Sequence, residues 1–273
     1  MDHDKVKLIL DWSPNTNHSS IFLALKRGYF NFDLHIKNPF DDHFQYSAVE
    51  RLTLNQVHLA LGPSELALHQ GIELVAAMNQ HDNSAILTTE EIKRPRDLQG
   101  LIYGSFGGFY EEKIVQELIK KDGGHQPLKI HRTAKNQVYN DFFSGKTNAV
   151  WIFLSWEGLN LANQKGYRYF SLNNYNIPFG YTPALLAKKE WSLQNNHIIQ
   201  NFKNGCQKAV TELIEKPKLA LEALDGLVNG YSDQFIIESQ KRVNMAQLND
   251  KGEWGVIDHQ RWQSFKKFLK SSN

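Results

Sequence analysis

Short apolar runs alternate with stretches in which apolar positions recur every third or fourth residue, and the alternation continues to Asn173. "VKLILDW" leads into a helical pattern over Ser19 to Arg27, and "FDLHI" into a helical "YSAVERLTL". "VHLALG", a helix near Ser64 to His69, "IELVAAM" and "AILTT" follow. The middle repeats the rhythm: strand "LIYGS", helix "YEEKIVQELIKKD", strand "LKIHR", helix "NQVYNDFFSG", strand "AVWIF", helix "EGLNLANQ", strand "YRYFSL". Beyond Asn173 it changes, with "TPALLAK" reading as one more strand and nearly everything after Glu190 as helix. Strand-length runs separated by helical segments predict an α/β fold.

Two polar segments interrupt the rhythm. In "EEIKRPRDLQG", the ring of Pro95 crowds the residue before it and disfavours helix through Arg94. "NNYNIPFGYTP" is rich in turn formers. Read as crossings, they divide the chain into a discontinuous lobe 1 (about 1–91 plus 184–273) and an inserted lobe 2 (about 92–183). A two-stranded hinge and a ligand cleft between lobes that close on the ligand are the expected consequence. The alternative is a single doubly wound sheet with a helical tail, although roughly ten strands would crowd one such sheet.

Composition narrows the classes of function. The formal net charge of +2, from 31 Lys and Arg against 29 Asp and Glu, is too small and too dispersed for a nucleic-acid or membrane-surface partner. The single cysteine, Cys206, rules out an intrachain disulfide framework and a four-cysteine metal site. It lies in "FKNGCQKAVTELI", an amphipathic helical pattern, and reads as a buried structural thiol. No window reaches the ~18 to 20 consecutive apolar residues of a membrane span. "MDHDKVKL" has neither the basic nor the apolar region of a secretory leader. The expected address is therefore cytoplasmic, or that of a mature chain from which a leader has been removed.

Candidate chemistry begins in the loop after the first strand. Ligands of open α/β sheets sit beyond the carboxyl ends of strands, where "DWSPNTNH" falls. A phosphate cradle there would want glycines, and this loop has none. It offers the carboxylate of Asp11, the flat surface of Trp12, the amides of Asn15 and Asn17 and the imidazole of His18. Those groups suit a planar heteroaromatic ring with amino and ring-nitrogen edges. Equally, Asn17 or Ser19 caps the helix and Trp12 packs between lobes; the local pattern leaves both open.

"DWSPNTNH", with "RGYF" twelve residues beyond Asn15, resembles the opening of the ABC-transporter substrate-binding proteins that scavenge thiamine pyrimidine precursors. That family also includes the fungal-type thiamine pyrimidine synthases. The resemblance covers most of the chain and weakens after about residue 215. It implies a type II periplasmic-binding-protein-like fold, a small pyrimidine ligand, an ABC permease as partner and a periplasmic or cell-surface address. A monomer without a cofactor is expected.

Further motifs add contacts. "AVWIFLSWEG" places Trp151 and Trp156 about the end of a strand and Glu157 at a helix start, where a carboxylate meets the positive end of the dipole. By resemblance, Glu157 accepts hydrogen bonds from an amino-pyrimidine, and an ionised acceptor makes these roughly twice as strong as a neutral one. In "YGSFGGFYEE", backbone N–H groups around Gly104, Gly107 and Gly108 converge on an anion or an electron-rich ligand edge, with Phe106 and Phe109 as walls. In the synthase branch a similar G-x-F-G loop holds a cofactor phosphate, which leaves a phosphorylated ligand open. Tyr181 in "IPFGYTP" is either a core aromatic at the second crossing or a ring-stacking wall. Ser64, following "VHLALG", completes the expected ligand contacts.

The rival reading is the synthase, in which a histidine and a lysine-bound pyridoxal cofactor, with iron and a cysteine cluster, build the pyrimidine. Aligned on "VHLALGPSELALHQG", the synthase lysine falls at Gly62 and its histidine at Leu66. Glycine forms no Schiff base and leucine has no ring to give. A shifted alignment recruits His69, but no lysine lies between Lys37 and Lys93, and Cys206 is alone. No G-x-S-x-G elbow or H-E-x-x-H pair is present, and the histidines, among them His43, His58 and His81, lack metal-ligand spacing. The sequence therefore reads as a binder of a formylaminopyrimidine or hydroxymethylpyrimidine serving an ABC importer. A cytosolic pyrimidine-binding protein is the second class.

Overall fold

The computed structural model describes residues 5–161, 164–178 and 180–270, and of Phe109 the backbone alone. Phe109 as a wall, residue 179 in the second predicted crossing and residues 162–163 in "EGLNLANQ" thus lie outside the described residues. The chain forms two compact units, Met1–His81 with Gly180–Asp258, and Asp82–Phe179 with His259–Asn273. Unit 1 begins with β1 (Lys5–Ile9), α1 (Ser19–Lys26), β2 (Asp33–Lys37), α2 (Ala48–Thr53), β3 (Leu59–Gly62) and β4 (Ile72–Ala77). Unit 2 follows with β5 (Ser84–Thr89), β6 (Ile102–Ser105), α3 (Phe109–Lys121), β7 (Lys129–Arg132), α4 (Val138–Phe143), β8 (Ala149–Phe153), α5 (Glu157–Leu161) and β9 (Tyr167–Ser171). The chain returns to unit 1 for β10 (Ala184–Lys188), α6 (Lys189–Gln194), α7 (Asn196–Glu215), α8 (Leu219–Leu224) and α9 (Asp233–Gln247), and re-enters unit 2 with α10 (His259–Lys270).

Each apolar run read as a strand forms one, and the runs assort into two five-stranded sheets, which removes the single-sheet alternative. Their orders are β2-β1-β3-β10-β4 and β7-β6-β8-β5-β9. In each sheet the antiparallel strand is the one entered from the other unit: β10 against β3 and β4, β5 against β8 and β9. The pairs β1–β2, β1–β3, β6–β7 and β6–β8 are parallel. Residues just before β10 or β5 consequently lie at the same sheet end as residues just after the parallel strands. That end is where an α/β sheet presents its loops to a ligand.

The predicted division is corrected in two places. β5 belongs to unit 2, because Ser84–Thr89 pairs with both β8 and β9, so the chain passes at 81/82 and not near 91/92. Pro95 instead opens a 3-10 turn, Pro95–Leu98, inside unit 2. The C-terminal helix α10 also belongs there, with Lys113 Nζ of α3 donating to the Leu269 carbonyl. The chain therefore passes between units three times rather than twice. A strand run does not name its partner strand, and an amphipathic helix does not name the face that covers it.

Local rules explain individual elements. Ser47 and Glu50 form a reciprocal capping box on α2: the Glu50 N–H donates to Ser47 Oγ at 3.2 Å, and the Ser47 N–H to Glu50 Oε2 at 2.7 Å. β3 and β10 are covered on both faces and read as continuous apolar runs. Ile9, Leu52, Val57, Ala60, Ile72 and Leu186 pack as a core in unit 1. Ala85, Leu87, Val138, Phe142, Val150 and Ile152 do so in unit 2. Cys206 is fully buried on the inner face of α7, and burial pushes its thiol well above the usual range. It is a structural thiol, as its helical pattern predicts.

Candidate ligand-binding site

After β1 the chain turns through Asp11–His18 at the ligand-facing end of the unit 1 sheet. Asn15, extended at φ −155°, caps the 3-10 turn Thr16–His18, its Oδ1 accepting the Asn17 N–H at 2.9 Å. The cap is thus Asn15, not Asn17 or Ser19. Its own N–H donates to His18 Nδ1 at 3.2 Å. With Nδ1 an acceptor, the ring proton sits on Nε2, which donates to Asp11 Oδ1 at 2.8 Å. His18 is fully buried, while Asp11 is partly open. His18 and Asn15, expected to read a ligand edge, instead build the loop, and the group they hold outward is the Asp11 carboxylate. The His18 contact uses Asp11 Oδ1 and leaves the carboxylate partly exposed.

The loop is pinned from two sides, by α9 and by the segment after β4. Thr16 Oγ1 and Ser239 Oγ of α9 share a 2.6 Å hydrogen bond. Asn79, just after β4, donates through Nδ2 to Asn17 Oδ1 at 3.3 Å and to the Thr182 carbonyl at 3.2 Å. Ser64 and Tyr181 bond reciprocally, the Ser64 N–H to the Tyr181 carbonyl at 2.8 Å and the Tyr181 N–H to Ser64 Oγ at 2.9 Å. Both are fully enclosed, and the Asp258 N–H donates to the Tyr181 hydroxyl at 2.9 Å. Tyr181 packs with Ala77 and Ala184. Of its two readings the core aromatic holds, and the ring-stacking wall does not, because no face of the ring is open.

Trp12 remains half-buried. Phe40 meets it edge-on at 4.9 Å between centroids, and Phe44 lies tilted at 5.5 Å. Phe44 and His43 have φ of +58° and +54°, a left-handed backbone that costs a non-glycine residue about 1–3 kcal/mol and gathers at functional sites. The aromatic neighbours and Asn79 were not found from sequence. The polar "NQHDN" directly after an apolar strand was the available signal for Asn79.

In unit 2 the expected residues occupy the corresponding sheet end. Phe106 packs edge-on against Tyr139 at 5.5 Å, and the Tyr139 hydroxyl donates to the Trp151 carbonyl at 3.2 Å. Trp151 is half-buried on β8, and Trp156 is buried beyond its end. Glu157 opens α5 and accepts the Phe153 N–H at 3.1 Å. Asn83 bonds Ser155 Oγ at 2.5 Å and ties the entry into β5 to the same turn. Gly107, at φ +87°, supplies the conformation the Gly-rich turn needs.

That turn carries its own anion. Glu111 Oε1 accepts the Tyr103 hydroxyl at 2.7 Å and the Phe106 N–H at 3.1 Å, and Oε2 accepts the Gly108 N–H at 3.3 Å. The Gly107 N–H donates to Ser105 Oγ at 3.0 Å, and that hydroxyl donates to Glu112 Oε1 at 2.9 Å. Burial raises the Glu111 carboxyl above the usual range, and its three donors pull against the rise without reversing it.

A pyridoxal phosphate group does not fit these residues. Gly62 has no amine to form a Schiff base, and a Cβ built there lies 2.8 Å from Leu66 Cδ1. Among the described residues no three His, Cys, Asp or Glu side chains are grouped to hold a metal ion, and no helix is long and apolar enough to cross a membrane.

The formylaminopyrimidine-binding protein of Halalkalibacterium halodurans is 23% identical, over 95% of this chain and 83% of that one. The ligand-binding component of an ABC-type import system from Staphylococcus aureus shares the fold at a TM-score of 0.73 and 13% identity, covering 98% of this chain and 91% of the other. The periplasmic aliphatic sulphonate binding protein of Escherichia coli does so at 0.67 and 14%, covering 98% and 92%. A family model described as NMT1/THI5 like matches residues 15–220, well over half of the sequence. The chain belongs to the NMT1/THI5-like family and has the fold of periplasmic ABC substrate-binding proteins.

Proposed function

We propose that this protein is the substrate-binding component of an ABC importer and captures a thiamine-related pyrimidine precursor of the formylaminopyrimidine or hydroxymethylpyrimidine type. The observation that carries the proposal is the Asp11 carboxylate, held at 2.8 Å by a buried His18 beside the half-buried ring of Trp12. A flat ring next to an oriented anionic acceptor is what an amino-substituted pyrimidine requires: Trp12 stacks, and Asp11 accepts from the exocyclic amine. Family membership and the name of the Halalkalibacterium relative support the ligand class. No step of chemistry is assigned, since the groups described above orient a ring and none is a nucleophile paired with a base. Delivery to a permease, at a periplasmic or cell-surface address, follows from the same reading.

Titration calorimetry with formylaminopyrimidine, hydroxymethylpyrimidine, thiamine and an unrelated sulphonate tests it. One of the first two binds with a Kd at or below micromolar, and the sulphonate does not. Silence of every pyrimidine overturns the assignment.

A further inference from the structure

Asn79 follows β4 as Asp11 follows β1, and because β3 and β4 both run antiparallel to β10 while β1 runs parallel to β3, the two residues leave the unit 1 sheet at the same end. The Asn79 side chain is 1% exposed, and its own donors fix its orientation. Nδ2 gives one hydrogen to Asn17 Oδ1 of the opening loop at 3.3 Å and the other to the Thr182 carbonyl, just before β10, at 3.2 Å. A carboxamide turned over would set its oxygen against those two oxygens, so Nδ2 and Oδ1 cannot exchange places. Oδ1 is buried and meets no hydrogen-bond donor among the described residues. The neighbouring backbone is spent elsewhere, the Met78 N–H on the Pro183 carbonyl at 3.2 Å and the Gln80 N–H on the Ala246 carbonyl at 2.6 Å. A buried acceptor without a donor bears its full desolvation penalty, and native folds keep few such groups unless something else supplies the donor.

Asn17, which anchors Asn79, is next in sequence to His18, which orients Asp11. Unit 1 thus holds two acceptors in one hydrogen-bonded assembly, and an exocyclic amine carries two hydrogens. We infer that Asn79 is a specificity-determining residue whose Oδ1 accepts the second hydrogen of an exocyclic amine on the ligand, the first going to Asp11. The inference rests on the proposed function for the ligand class and adds the group that reads the amine. A ring with an oxo group or a hydrogen at that position leaves Oδ1 facing an acceptor or no donor, and a site whose buried polar groups go unpaired discriminates strongly against such a ligand.

Calorimetry tests it with hydroxymethylpyrimidine, or formylaminopyrimidine where that is the tighter ligand, against an analogue carrying hydrogen in place of the ring amine, on wild type and Asn79→Ala. Wild type prefers the amine, and Asn79→Ala lowers that preference by about tenfold, losing affinity for the amine and little for the analogue. A variant that weakens both ligands by the same factor shows Asn79 to be a support of the loop alone and overturns the inference. Should Asn79→Ala fail to fold, wild type answers without it. The same ligand labelled with 15N at the ring amine then shows, when bound, two resolved amine protons that both exchange slowly with water. One slow and one fast proton is the pattern of Asp11 acting alone, with Oδ1 left to water, and overturns the inference. If no pyrimidine binds wild type, the proposed function falls and takes the inference with it, whereas intact binding with an unchanged preference removes Asn79 alone.

Discussion

Trp12 illustrates how a single side chain divides between support and recognition. One edge meets Phe40 at 4.9 Å and a tilted Phe44 lies at 5.5 Å, so two rings brace the indole while part of it stays open. Replacing it by alanine is expected to cost about 1–3 kcal/mol of pyrimidine affinity, taking stacking of bases on aromatic side chains as the guide, or roughly 5- to 150-fold. Calorimetry on the variant checks this, and unchanged affinity would remove Trp12 from the site. Composition of the opening loop offered the polar groups, but not the bonds among them. Asn15, His18 and Asp11 form a relay in which only the last faces outward, and which nitrogen of a histidine is engaged depends on neighbours that spacing alone does not specify. Glu111 was legible in principle: a glutamate three residues after Gly108 has capping-box spacing, and a carboxylate at that spacing competes with any outside anion for the turn.

At the scale of elements, α7 shows why packing outweighs propensity. Its buried positions, Ile198, Ile199, Phe202, Gly205, Cys206, Ala209, Val210 and Leu213, follow the helical period, and the glycine among them looks like a weakness. A Cβ at Gly205 would lie 2.7 Å from Phe30 Cε1. Phe30 cannot swing aside freely, because it stacks on Phe202 at 5.2 Å and on Phe32 at 5.3 Å. Gly205→Ala should therefore destabilise unit 1: overpacking costs about 1–3 kcal/mol against about 1 kcal/mol gained in helix propensity. Urea denaturation measures the net, expected to be a loss on the order of 1 kcal/mol, and a gain in stability would refute the argument. The strands were read from sequence because buried parallel strands are apolar along their length. The helix expected near Ser64–His69 shortened to a 3-10 turn, Ser64–Leu68, since Ser64 is held by Tyr181 from a distant segment.

For the whole molecule, the passages between units carry a titrating group. Asp82 begins unit 2, its Oδ1 accepting the Ser84 N–H at 2.9 Å while Oδ2 is buried without a hydrogen-bond partner among the described residues. Burial pushes its pKa up to about 6, against the lowering effects of the Ser84 bonds and the Arg261 charge. An acid with a raised folded-state pKa binds protons more tightly when folded, so its contribution is most favourable below about pH 4 and stability falls as pH rises through about 4 to 6. Asp82→Asn removes this penalty. The variant should be more stable than wild type at pH 7.5, by on the order of 2 kcal/mol, and close to it at pH 4. Urea melts at the two pH values check the prediction, and equal shifts at both would contradict it.

The ten strand runs, their α/β rhythm, the buried thiol on α7 and the aromatic and amide chemistry of the first loop were determined by sequence alone, because each depends on periodicity or local composition. Which sheet β5 joins, where α10 packs, that Tyr181 lies in a core and that Glu111 fills the Gly-rich turn were decided only in three dimensions. The physical reason is common to all four. Each is a choice of partner, and burial and hydrogen bonding reward whichever group the fold brings within reach, however far along the chain it lies.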